Sequence, residues 1–374
     1  MRGTAAIVGG GIAGLATARA LLGAGWDVTV RETAAGPWHH LPLGDLAELG
    51  RARRAVPTTP DGPAGETGPP GPARRRRSWR TVETSILLRA IAVVIICGSH
   101  ADLFRLLGGA HTLLAVAGFN AARFGLSVPT ARGRWRASAR MLIGVAVPTT
   151  AVALVGMVTQ DRYGWANVAL ANWLVGDVTY GFRNELWFVD ALVASTLTLT
   201  AVLSVPVAGR IWRRDPWRVA AALAVLALVP RFLILHLGEG VLRGIMPTTF
   251  WLFAVGAAVA HADTGRRRLL TLAVAVVGGA TYFPDDPVRN VTVLACIAAL
   301  TLLPEVRVPA LAVPLVSLLA SASLYVYLVQ FQILGLVPSA LGATVLAIAT
   351  GCLLWRAADR PVRRLQDLVP PPTR

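Results

Sequence analysis

An arginine and a histidine lie inside the first strongly apolar stretch of the chain, residues 86–104, where charged and titratable side chains are costly. They are Arg89 and His100. An arginine at mid-depth in a bilayer costs roughly 2.5–3.5 kcal/mol on insertion scales, so a span that carries one usually uses it. A neutral imidazole can take a proton from a hydroxyl or act as a nucleophile, and a guanidinium binds phosphates through paired hydrogen bonds. The pair therefore predicts proton-transfer and anion-binding chemistry.

Helical geometry places the two side chains on one face of their segment. The eleven steps from one to the other turn the helix by about 1,100°, three turns plus roughly 20°, and separate the residues by roughly 16 Å. That separation is about half the thickness of the hydrocarbon core. We therefore predict a polar path along the first membrane helix, with the arginine near one interface and the histidine half a membrane away.

The composition is that of a membrane protein. Hydrophobic residues make up 55% of the chain and charged residues 15%, whereas a soluble domain usually carries about 25% charged residues. The net charge is +16, but the arginines cluster between apolar segments, which indicates loops facing anionic lipid and not nucleic-acid binding. Cys97, Cys296 and Cys352 fall in apolar stretches without metal-ligand spacing, so we predict no metal site and no disulfide framework.

From residue 84 onward the pattern predicts an α-helical polytopic membrane protein with about ten transmembrane helices. The predicted spans have roughly the length that a bilayer requires and cover residues 85–105, 108–127, 139–158, 184–206, 217–237, 245–262, 267–283, 289–304, 310–336 and 339–356. The ninth window leaves room for a break near residues 321–323. The shorter apolar segment 165–178 is more typical of an interfacial or re-entrant piece.

Arginine alternates between successive loops. The predicted cytoplasmic loops carry clusters at 74–77, 132–136, 210–214, 266–268 and 360–364, whereas the alternate loops carry few arginines and several acids. This is the asymmetry of the positive-inside rule. We therefore predict a multi-pass plasma-membrane protein with both termini in the cytoplasm, Arg89 near the cytoplasmic interface and His100 in the outer half.

The first 36 residues predict a short Rossmann-like βαβ fragment, which resembles the start of the FAD-binding domain of flavin monooxygenases. Gly9, Gly11 and Gly14 form a G-x-G-x-x-G turn, and Glu32 follows about 20 positions on, which are the cofactor-binding positions of that motif. An isolated βαβ unit buries too little apolar area to fold well alone. The fragment is either a remnant or an accessory segment, and we expect no flavin chemistry from it.

The sequence divides into four parts. Residues 1–36 are the Rossmann-like fragment, 37–83 a flexible linker rich in proline, glycine and arginine, 84–366 the membrane domain and 367–374 a tail. A Pro/Gly-rich composition without apolar periodicity is typical of a linker.

Several motifs of the membrane domain together resemble the membrane acyltransferase-3 family. The pair Arg89 and His100 in a first span after a basic stretch is one of them, and the likeness extends over residues 84–366. The further elements are Gly108-Gly109-Ala110-His111 through Ala117-Gly118-Phe119, Arg136 and Arg140 before Pro148, Glu185-Leu186-Trp187-Phe188, Ser323 to Leu328, and Asp359-Arg360-Pro361. Ala117 stands where that family's element has serine, and Gln330 where a histidine is expected.

The resemblance implies an integral-membrane O-acyltransferase that uses acyl-CoA as a cytoplasmic co-substrate and requires no bound cofactor. The acceptor would be a hydroxyl of a glycan, a lipid or a secreted small molecule. The residue chemistry fits this expectation without the resemblance: His100 would act as the base or carry the acyl group, and Arg89, Arg136 and Arg140 would hold the donor's phosphates.

An acceptor pocket is predicted from His111, Glu185 and Trp187 near the outer ends of their spans. For Glu185 and Trp187 the alternative is an interfacial anchor formed by Arg183, Glu185 and an aromatic belt residue, and for His111 it is a solvated position near the outer interface. Two other classes of function stay open. A polytopic transporter or exporter would also carry buried charges, but we see no inverted repeat; a membrane-anchored FAD-dependent oxidoreductase would need a complete flavin domain, which does not follow the βαβ fragment.

Overall fold

The computed structural model describes residues 4–8, 27–31, 78–176, 184–237 and 240–372. The chain divides into two compact units, Met1–Arg74 and Arg75–Arg374. In the first unit, strands β1 (Thr4–Val8) and β2 (Asp27–Arg31) pair in parallel, as the two strands of a βαβ unit do. The glycine turn with Gly9, Gly11 and Gly14, and Glu32, lie outside the described residues.

The second unit is helical. Its helices are α1 (Thr84–His100), α2 (Gly109–Asn120), α3 (Ala131–Gln160), α4 (Trp165–Val168), α5 (Asn172–Val175), α6 (Trp187–Ser204), α7 (Pro206–Arg214), α8 (Pro216–Leu226), α9 (Leu228–Leu237), α10 (Met246–Val259), α11 (Gly265–Gly279), α12 (Pro287–Leu302), α13 (Val313–Ile333) and α14 (Ala340–Asp367). A π-helical turn (Ala121–Gly125) extends α2, and a 3-10 turn (Gly240–Gly244) precedes α10.

Six helical segments of the described chain are long and apolar enough to cross a bilayer. They are Ala131–Gln160, Trp187–Ser204, Pro216–Leu235, Leu242–Val259, Val313–Ile333 and Ala340–Asp367, and the apolar helices Thr84–His100 and Pro287–Leu302 are shorter. A 17-residue helix reaches about 26 Å, less than the ~30 Å of hydrocarbon. The structure thus supports a multi-pass helical membrane protein but does not confirm ten spans.

Helix α10 is the centre of the bundle. Every residue from Thr248 to Val259 is buried, which is the behaviour of a helix that is apolar all round. It packs most closely on α2, because a Cβ at Gly118 would meet the carbonyl oxygen of Phe253 and a Cβ at Gly256 would meet that of Ala115. Small residues let two membrane helices approach to backbone contact, so this crossing fixes the position of α2 against α10.

Helix α1 packs between α2 and the pair α13–α14. Strand β3 (Trp79–Glu83) runs directly into it and pairs antiparallel with β4 (Glu305–Pro309). The predicted flexible linker 37–83 therefore ends in a strand, since Val82 of β3 is buried and Glu83 forms an ion pair with Arg123 (2.7 Å). Helix α13 is continuous through residues 321–323 and contains no break.

Candidate functional site

A cavity of about 300 Å³ opens where α1 ends and where α2, α6 and α12 begin. Among the residues that line it are His100, His111, Glu185, Trp187, Arg289 and Tyr327. Four of these were predicted from the sequence as site residues, although they come from three separate segments. The cavity has the size of a small-molecule site, at the lower end of the usual range of roughly 300–1,000 Å³.

His100 lies at the last position of α1, with its ring exposed to the cavity. Its Nδ1 lies 3.3 Å from the side-chain oxygen Oε1 of Gln330, and its ring lies 5.0 Å from that of Phe331. Both partners belong to α13, the helix whose Ser323 also accepts a hydrogen bond from Arg89. Gln330 is the residue that stands where the resemblance leads us to expect a histidine.

Arg89 lies in the same helix but not at the cavity. It is half-buried, and its Nη2 donates to the hydroxyl of Ser323 over 3.3 Å. Ser323 and Gln330 are two turns apart on α13, so the face that carries Arg89 and His100 meets one face of α13. Arg89 and His100 therefore both contact α13, through Ser323 and Gln330.

His111 lies in the first turn of α2 and is buried, with 2% of its surface exposed. Three aromatic rings surround it, with centroids 4.8 Å (Trp187), 5.6 Å (Tyr282) and 4.9 Å (Phe283) from its own. The backbone of Arg243 lies beside the ring, but neither ring nitrogen has a hydrogen bond of normal geometry to the described residues. The imidazole is thus fixed in place by its aromatic neighbours, with both ring nitrogens buried.

Glu185 closes the side of the cavity next to α6. Arg162 holds its carboxylate at two points, with Nε 2.7 Å from Oε2 and Nη2 on Oε1, and the Tyr163 hydroxyl donates to Oε2 over 3.1 Å. Tyr327 donates to the backbone carbonyl of Glu185. Burial, followed by the charge of Glu185, raises the pKa of the Tyr163 phenol above its ordinary value, so this hydroxyl stays protonated and keeps donating.

The ion pair of Glu185 differs from the one that we predicted. The sequence suggested the neighbouring Arg183, which lies outside the described residues, whereas Arg162 makes the contact seen here. The ends of α3 and α6 meet at this point. An arginine at the end of one span can pair with an acid at the start of the next, a contact that residue spacing within a single segment does not reveal.

Arg289 is a lining residue that the sequence analysis missed. It lies in the first turn of α12, where Asp286 caps the helix by accepting from the backbone N–H of Arg289 (2.9 Å) and Pro287 occupies the first turn. Its guanidinium carbon lies 3.7 Å from the ring centroid of Phe283. The Asp-Pro helix start was a usable signal, because it places the next arginine at the mouth of a span and not in a loop.

Asp190 is a second residue that was missed. It lies in the first turn of α6, is 1% exposed, and its Oδ1 has no hydrogen bond of normal geometry to the described residues. An acid inside a membrane segment marks a functional position by default. The predicted window 184–206 contained this acid, so the sequence did carry the signal.

The two predicted donor-binding arginines lie away from the cavity. Arg140 donates to the carbonyls of Gln366 and Val369 (2.8 and 2.7 Å) and forms an ion pair with Asp367 (2.9 Å). Its guanidinium thereby fixes the end of α14 against α3. Arg136 lies about one turn earlier on α3 and is half-buried.

Comparison of the chain with models of protein families, with curated proteins and with solved structures finds no match. The resemblance to the membrane acyltransferase-3 family therefore stays a prediction from the sequence. The geometry of the cavity, with its two imidazoles, carries the functional interpretation.

Proposed function

We propose that this protein is an integral-membrane O-acyltransferase that moves an acyl group from acyl-CoA to a hydroxyl of a glycan, a lipid or a secreted small molecule. The observation that carries the proposal is the meeting of His100 and His111 in one cavity with Glu185 and Trp187. The resemblance of residues 84–366 to an acyltransferase family, which includes these residues among its motifs, is a second support. The proposal includes ten spans, with both termini in the cytoplasm of a plasma-membrane protein.

His100 would perform the proton transfer. Its imidazole takes the proton of the acceptor hydroxyl while that oxygen attacks the thioester carbonyl of the donor. The carbon–sulfur bond then breaks, and the thiolate leaves with the proton that the imidazole returns. The products are an oxygen ester and free coenzyme A, so no oxidant, metal or further reactant is required.

The acceptor would bind beside His111. Its buried imidazole, packed among three aromatic rings, forms part of the wall against which the acceptor would lie. Trp187 and Tyr327 supply apolar surface at the same cavity, and Glu185 is already neutralised by Arg162. A cavity with apolar walls and a few fixed polar groups is typical of a site for a small hydroxylated molecule.

The donor would be presented from the cytoplasmic side. Arg89 lies on the path between that side and His100, and its contact with the uncharged Ser323 leaves its charge uncompensated by that partner. Arg136 remains a proposed phosphate ligand. Arg140 already holds the C-terminal segment, so its part would be to position α14 near the donor.

Inverted membrane vesicles with radiolabelled acetyl-CoA test the proposal. His100→Ala should reduce label transfer to ester products by at least about a hundred-fold, since a general base contributes 10²–10⁴-fold, while the amount of inserted protein stays equal. His261→Gln is the matched control, because that histidine lies outside the cavity. Ester formation by His100→Ala at the wild-type rate would exclude the catalytic role, and uptake of a solute without ester formation would favour a transporter.

A further inference from the structure

We propose that Gln330 is the positioning residue of His100, in that its side-chain carbonyl accepts a hydrogen bond from Nδ1–H and leaves Nε2 as the unprotonated nitrogen of a ring that lines the cavity. The inference rests on the proposed function for the use of Nε2 as a base. The location of the proton is a separate property, which can be measured without any substrate.

The orientation of the Gln330 amide is fixed by its own helix. Its side chain is completely buried, and its amide nitrogen Nε2 donates to the backbone carbonyl of Tyr327 over 3.2 Å. The reversed amide would place its oxygen against that carbonyl and lose the bond. Since a buried polar group without a partner costs about 1–3 kcal/mol, the observed orientation is favoured and Oε1 faces His100.

This orientation determines the tautomer of His100. An amide oxygen can only accept a hydrogen bond, and Oε1 lies 3.3 Å from Nδ1. Nδ1 therefore carries the proton, and in a neutral imidazole Nε2 then holds the lone pair. The Phe331 ring, 5.0 Å away, packs against the imidazole and limits its rotation.

Glutamine suits this task better than the alternatives at the same position. A histidine could donate to Nδ1 or accept from it, so it would not select one tautomer. A carboxylate would select the same tautomer but would add a negative charge within the bundle and favour the protonated imidazolium. The uncharged amide selects the tautomer and leaves the ring neutral, which is the form that can act as a base.

The first measurement is solid-state NMR of the full chain in lipid bilayers, with histidine labelled with ¹⁵N. The sequence has only 6 histidines, and His100→Gln assigns the His100 signals. The expected result is a directly bonded proton on Nδ1 and an unprotonated Nε2. A proton on Nε2 in the wild-type protein at neutral pH overturns the proposal.

Variants of Gln330 supply the second measurement. Gln330→Leu removes the acceptor, so the tautomer with the proton on Nε2 should become populated and the rate constant of acetyl transfer should fall roughly ten- to hundred-fold, as for other residues that orient a histidine. Gln330→Glu keeps an acceptor and should keep the proton on Nδ1. Gln332→Leu, two positions further on the same helix, is the matched control and should leave the His100 signals unchanged.

The outcomes separate this inference from the proposed function. If Gln330→Leu leaves the His100 tautomer unchanged, the positioning role is wrong whatever the protein catalyses. If the tautomer shifts as expected while His100→Ala still forms ester, the positioning role stands and the catalytic role of His100 is wrong. A fall in transfer without a change of tautomer would indicate a packing effect and would also overturn the inference.

Discussion

His261 is a half-buried histidine that lies outside the cavity and two residues beyond the span-length segment Leu242–Val259, and it makes the stability of the protein depend on pH. Burial lowers the pKa of its imidazole from 6.5 to about 4, although Asp215 and Asp263 oppose the shift. A lowered folded-state pKa contributes stability that is complete above pH 6.5 and is lost as the pH falls toward 4, by up to about 3 kcal/mol. We therefore expect the midpoint of thermal unfolding in detergent to fall as the pH is lowered from 6.5 to 4.

The control for this prediction is His261→Gln, which cannot titrate. Its ring contact with Trp212 (5.2 Å) is lost, so the variant should be less stable at neutral pH but should lose less stability between about pH 6.5 and 4. Equal losses in the two proteins would show that other groups, such as the carboxylates, control the acid sensitivity.

Sequence reasoning at the level of single residues found the polar groups of the site but not their pairing. His100, His111, Glu185 and Trp187 stand out because each is polar or amphipathic in an apolar segment. Their partners come from other segments: Gln330 lies in α13, and Arg162 lies two residues past the end of α3. Such contacts depend on how helices pack together, which spacing within one segment does not determine. Arg289 was missed for a related reason, since a cation at a helix end is usually a topology signal.

The crossing of α2 and α10 depends on a glycine of α2. A Cβ at Gly118 would meet the backbone of Phe253, so Gly118→Ala forces the helices apart and should cost about 1–3 kcal/mol, the usual cost of overpacking. Because α2 carries His111, the same change should also weaken acetyl transfer. Thermal unfolding in detergent measures the first effect, and the vesicle assay measures the second.

A glycine in open space provides the comparison. A Cβ at Gly265, in the first turn of α11, would meet nothing within 4 Å. Gly265→Ala should therefore leave the midpoint of thermal unfolding unchanged or raise it slightly, because alanine lowers the conformational entropy of the unfolded chain. If both variants unfold at the same temperature, backbone contact at Gly118 does not limit the crossing.

The apolar windows of the sequence predicted the positions of the helices well, because burial in lipid requires long apolar runs. They predicted the ends of the helices and their internal breaks less well. Each of the ten windows falls on a helix. The window 217–237 contains two helices, α8 and α9, whereas the window 310–336 contains one uninterrupted helix. Contacts between helices decide whether a run bends, and the hydropathy of a single run carries no information on those contacts.

At the scale of the whole molecule, the number of spans and the direction of the chain are linked. The six segments of span length already fit the alternation of the arginine clusters between loops, and the ten predicted spans add two consecutive pairs of shorter helices, α1 with α2 and α11 with α12. Helix α11 is a demanding case among these four, because its 15 residues reach only about 22 Å, whereas the hydrocarbon core is ~30 Å thick. A bilayer can thin locally around a short helix at a cost of fractions of a kcal/mol per Å, so we propose that α11 crosses.

Cysteine labelling on either side of α11 tests this. Arg266 at its start and Asp285 beyond its end are both exposed, so a cysteine at either position is open to a maleimide that does not cross membranes. Intact cells should label Asp285→Cys at once and Arg266→Cys only after permeabilisation, because the arginine cluster 266–268 favours the cytoplasm. Wild-type protein, whose cysteines are buried or half-buried, gives the background. Labelling of both positions from the same side would show that α11 does not cross, and both the count of ten and the inferred positions of the loops after it would then be wrong.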